Sequence, residues 1–111
     1  MVFSWFNTQK VDAFIDAEVA DIIKRAPPAK LEGSGAAVKK AEEQLAKSHD
    51  QLLRHARDFV QREKPNLYQK ARIANRAKWA LREAKYPTSF VDELAYALAS
   101  VVAAANSQRE I

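Results

Sequence analysis

Four prolines, at positions 27, 28, 65 and 87, divide this chain more firmly than any other feature. Proline lacks an amide N–H and disfavours helical backbone in the residue before it, so helices start at prolines but rarely run through them. Between these breaks the apolar residues recur at helical spacing. Val11, Ile15, Val19, Ile22 and Ala26 precede the first break. Val38, Leu45, Leu52 and Phe59 repeat every seven residues, widened by Ala41, Ala56 and Val60. Ile73, Ala74, Ala77, Leu81 and Ala84 lie between Pro65 and Pro87. Each set marks one helix face turned towards a core. The spacing predicts four helices over about 9–26, 36–64, 66–85 and 89–105, an all-α, four-helix bundle-like fold.

Boundary residues sharpen these limits. Asn7 or Thr8 suits the N-cap of the first helix, and Ser89 with Asp92 three residues on resembles a capping box. Pro65 either starts a new helix or kinks a continuous one. Residues 27–35 (PPAKLEGSG) read as a flexible loop. The short connections after the second and third helices suggest two antiparallel hairpins. Ser48 and His55 interrupt the seam of the second helix, which suits a bundle better than an isolated coiled coil. That helix is longer than its neighbours, and the last one is apolar nearly all round: Phe90, Val91, Leu94, Leu98, Val101 and Val102 dominate, and Ala95, Ala97, Ala99, Ala103 and Ala104 cover most of what remains. Such a helix is expected to be buried on several sides. A homodimer in which helices exchange cover is therefore expected, with a compact monomer and a bent second helix as the alternative.

Composition narrows the class. A chain of 111 residues is a single-domain length, 1–111, and buries about two thirds of its surface on folding. Two glycines argue against a turn-rich β fold, and the absence of cysteine removes disulfides, thiol nucleophiles and thiolate metal sites. No run of 18 apolar residues occurs, so no membrane span is expected. The chain reads as cytoplasmic. Its apolar N-terminal segment, residues 1–7, carries Phe3, Trp5 and Phe6. These suit packing against the bundle or a second subunit, or else an interfacial foot on a membrane.

Catalytic patterns are missing. No H-E-x-x-H occurs, and neither histidine has a glutamate three residues before it. His49 and His55 project about 120° apart on one helix and do not converge on one ion. His49 falls on the apolar stripe as a hydrogen-bonded core-edge residue, and His55 at its solvated margin. Gly33-Ser34-Gly35 lacks the spacing of a phosphate loop. Asp12, Asp16 and Asp21 read as a solvated acidic rim. No catalytic, cofactor-binding or metal-binding residues are assigned, and the chain reads as a non-enzymatic interaction protein.

Charge is the feature closest to a functional statement. Residues 54–85 carry 10 basic and 3 acidic residues, net +7, within a chain of net +4. On the third helix Tyr68, Arg72, Asn75, Trp79 and Arg82 fall within about 80° of one another, with Arg76 flanking, opposite the alanine and leucine face. This stripe is the candidate binding surface. It suits a subunit interface, an acidic protein partner, or a nucleic acid whose bases stack on the aromatics.

Overall fold

Every proline stands at a helix boundary. The computed structural model describes residues 6–110, with side chains through residue 105. It comprises α1 (Gln9–Arg25), a 3₁₀ turn (Pro28–Leu31), α2 (Ala36–Glu63), α3 (Leu67–Glu83) and α4 (Thr88–Glu110). Among the described residues there is no strand.

Local chemistry explains the boundaries. The Asn7 side chain accepts from the Gln9 N–H at 3.0 Å, while the Thr8 hydroxyl donates to Asp12. Pro65 breaks the helix and does not merely kink it. Lys64 ends α2 in the left-handed region at φ 52°, and Asn66 opens α3 with a reciprocal capping box. The Asn66 side chain accepts from the Gln69 N–H at 2.8 Å, and the Gln69 side chain accepts from the Asn66 N–H at 2.9 Å. The box expected at Ser89 and Asp92 does not open α4. That helix has already begun at Thr88, and the Val91 N–H donates to the Pro87 carbonyl, placing Ser89 inside the first turn. Between α3 and α4, Lys85 at φ 78° lets the Lys85 and Tyr86 amides reach back to Arg82 and Leu81, a Schellman closure.

The helices pack in a ring: α1 on α3, α3 on α4, α4 on α2, and α2 back on α1. Only one of the two expected hairpins forms side by side. α3 and α4 pack as antiparallel neighbours, but α2 and α3, joined by three residues, lie across the ring from each other. α1 and α3 consequently run parallel. Ile15, Ile22, Leu52, Val60, Ile73, Leu81, Val91, Leu94 and Leu98 fill the centre. Each buries roughly 1.5–3 kcal/mol of transfer free energy, which makes this core the main source of stability. Phe14 stacks on Phe59 at 4.3 Å along the α1–α2 contact.

Two expectations about exposure change. The segment read as a flexible 27–35 loop contains the 3₁₀ turn, which packs on the N-terminal half of α2, with Leu31 against the core. α4, expected to be buried on several sides, buries one face only: Val91, Leu94, Leu98, Val102 and Ala105. Tyr96, Ala99, Ser100, Ala103 and Ala104 face outward. The stretch Thr88–Ala105 is long and apolar enough, by length and composition alone, to cross a membrane, with a mean hydropathy of 1.3, although it is not an unbroken apolar run. It carries Asp92 and Glu93 and contributes its apolar face to the bundle core.

Tyr86 locks the ring. It is buried in the α3–α4 turn, and its hydroxyl donates to the Ala26 carbonyl at 2.7 Å, satisfying the last turn of α1. Burial pushes its phenol up to about 12. Because the folded value lies above the unfolded one, this contribution is complete below about pH 10 and is lost as the phenol ionises. Tyr86→Phe is expected to cost about 1–2 kcal/mol in urea unfolding and to flatten the loss of stability between about pH 10 and 12.

Candidate functional site

α3 presents the sequence-derived stripe outward, as its periodicity requires. Ile73, Ala74, Ala77 and Leu81 are buried, whereas Tyr68 and Trp79 are 39% and 55% exposed. Asn75 and Arg82 are exposed, and Arg72 and Arg76 are half-buried. All six candidate residues lie along one side of α3, yet the arginines do not project freely.

Arg72 forms a two-pronged pair with Asp12, Nε to Oδ1 at 2.9 Å and an Nη to Oδ2 at 3.1 Å. Arg76 grips Asp16 in the same way at 2.7 and 2.9 Å, and also lies 3.7 Å from Asp12. The acidic rim expected to be solvated is therefore paired at Asp12 and Asp16. Asp21 pairs on its own helix with Arg25 at 3.0 Å. Below these rungs the Gln69 amide donates to the Asn7 carbonyl at 2.7 Å. Paired residues are separated by about sixty positions throughout, the signature of two parallel helices in register.

The electrostatic consequences are mutual. The hydrogen bond from Arg72 holds the Asp12 carboxyl below its ordinary value, helped by Thr8 and against a desolvation penalty. The bond from Arg76 does the same for Asp16. The two guanidiniums are correspondingly raised by their carboxylates. Arg82 lies 5.3 Å from the centre of the Trp79 ring and 3.9 Å from Asp92 on α4. A cleft of about 560 Å³ opens beside Trp79, bounded by Asn75, Arg72, Arg76, Asp16 and Glu83. Tyr68 meets Phe6 edge to face at 5.3 Å. Phe3 and Trp5 lie outside the described residues.

The histidines remain apart. His55 Nδ1 lies 3.0 Å from both oxygens of Glu18, so it is tied to α1 and not merely solvated. His49 sits at the core edge against Phe90, its Nδ1 3.5 Å from Asp50 and its buried Nε2 without a partner among the described residues. Ser48 is buried beside it, its hydroxyl likewise unpartnered. Among the described residues no three His, Asp or Glu side chains are grouped to hold a metal. The missed feature, the Asp–Arg ladder, had one signal in the sequence. Asp12 and Asp16 share the four-residue spacing of Arg72 and Arg76, which puts each pair on one helix face.

No family model, curated protein or solved structure matches this chain.

The ladder sets an acid limit on stability. A carboxylate whose folded value is depressed stabilises the fold above its unfolded value and loses that contribution as pH falls through the folded one. The urea midpoint is expected to fall as pH drops below about 4, and Asp12→Asn with Asp16→Asn to remove part of that fall.

Proposed function

We propose that this chain is a small, non-enzymatic helical interaction module that engages a protein partner through the outer face of α3, with Trp79 as its anchor. One observation carries this reading. Arg72 and Arg76 are held by Asp12 and Asp16, which leaves a half-exposed tryptophan on a surface whose charges are already compensated. Trp, Tyr and Arg are the residue types that dominate the energy of protein interfaces, and guanidiniums held in place lose little further freedom on binding.

The same pairing weighs against nucleic acid as the occupant. A phosphate approaching Arg72 or Arg76 has to displace a two-pronged carboxylate and meets the repulsion of that carboxylate as it enters. Self-association belongs to the proposal and is supported by the outer face of α4. From Ala95 to Ala105 that helix carries no charged residue, although Tyr96 is 79% exposed. A solvent face without charge over three turns is unusual for a surface helix. Cytoplasmic residence remains part of the same reading, and an acidic protein partner is accommodated by basic residues flanking the paired arginines, Lys78 and Lys85 among them.

Affinity capture from native cell extract, with and without nuclease, tests the proposal. A discrete protein partner is expected to survive nuclease, to be lost with Trp79→Ala through a weakening of roughly thirtyfold or more, and to persist with Leu67→Ala. Recovery that vanishes with nuclease, or oligonucleotide binding at physiological salt that steepens as salt falls, overturns it.

A further inference from the structure

A recess lies away from α3, where the end of α1, the 3₁₀ turn and the start of α2 converge. It encloses about 620 Å³, the size of a small-ligand cleft. Ala26 and Ala41, both buried, form its floor, and Ala37 and Val38 its apolar wall. Gly33 and Gly35 shape the loop at its edge with φ of 91° and 100°, backbone that a side-chain-bearing residue rarely adopts, and nothing lies within 4 Å of where their Cβ atoms would stand.

The rim is cationic. The Lys30 and Lys40 side chains border the recess with no hydrogen bond or ion pair to any described residue, whereas Arg25 is already engaged by Asp21 and Gln51. Among the described residues Glu32 is the one acidic residue bordering it. α2 also starts there without a side-chain cap, so the positive end of a 28-residue helix adds to the two ammonium groups. A bare inorganic anion would satisfy the lysines but leave the alanine floor wet. A neutral apolar molecule would fill the floor but leave both ammoniums unused.

We infer that this recess binds an organic anion with an unbranched apolar body, a medium-chain carboxylate whose tail lies on Ala26, Val38 and Ala41 and whose headgroup meets Lys30 and Lys40. This is independent of the α3 surface, none of whose residues borders the recess.

Calorimetric titration of the full chain with decanoate, kept below its micelle concentration, tests it. Saturable one-to-one binding is expected. Lys30→Gln with Lys40→Gln should weaken it about tenfold, from the loss of two solvent-exposed charge contacts. Val38→Trp should abolish it by filling the recess, and Ala37→Trp, at an exposed position, serves if Val38→Trp loses helicity by far-UV circular dichroism. Inorganic phosphate should give no saturable heat. Absence of saturable decanoate binding, unchanged affinity in both the lysine and the tryptophan variants, or phosphate binding as tightly as decanoate would overturn the inference.

Discussion

The parallel register of α1 against α3 is the constraint from which the other features of this bundle follow. Neighbouring parallel helices align their macrodipoles, which disfavours the arrangement slightly. It is retained because α1 and α3 both feed the core, through Ile15 and Ile22 on one side and Ile73 and Leu81 on the other. Burial of those side chains supplies the stabilisation. The polar ladder supplies the register. If α1 slid by one turn, Arg72 or Arg76 would lose its aspartate, and the Tyr86 hydroxyl would no longer meet the Ala26 carbonyl. Partly exposed ion pairs add little to stability individually, but a misaligned register would forfeit several at once.

That register also redistributes the charge. Along the sequence, residues 54–85 look like a polycation of net +7. In space, Arg72 and Arg76 face Asp12 and Asp16, and Arg82 approaches Asp92. Carboxylates from the slightly acidic ends of the chain thus meet the basic middle. What remains exposed on α3 is aromatic surface between compensated charges, a composition suited to protein contact. Lys30 and Lys40, without an ion pair to any described residue, border the recess formed by the 3₁₀ turn and α2.

Much of this architecture was legible in the residues. Apolar periodicity located four helices, and the three proline breaks placed their ends to within one or two residues, apart from the C-terminal end of α4. The outward stripe Tyr68, Arg72, Asn75, Trp79 and Arg82 was also readable, because a helical period assigns faces without reference to neighbours. Pairing between helices was not. Asp12 with Arg72, and His55 with Glu18, depend on which helices adjoin and in which direction, and a three-residue link between α2 and α3 pointed to a side-by-side hairpin that the bundle does not form. The Asn66–Gln69 box has the Asn-x-x-Gln form of a capping box and marks the same boundary as Pro65 beside it. The apolar circumference of α4 implied burial on several sides, since alanine counts as apolar in a pattern yet tolerates exposure at little cost.

The most direct measurement of the α1–α3 register is a double-mutant cycle on Asp12 and Arg72, read by urea unfolding of the wild type, Asp12→Asn, Arg72→Gln and the double variant at neutral pH and low salt. Residues paired as described should show a coupling free energy of about 0.5–1 kcal/mol, reduced at high salt. Losses that simply add, with coupling inside about 0.3 kcal/mol at both salt concentrations, would contradict the parallel register and the charge-compensated surface that rests on it.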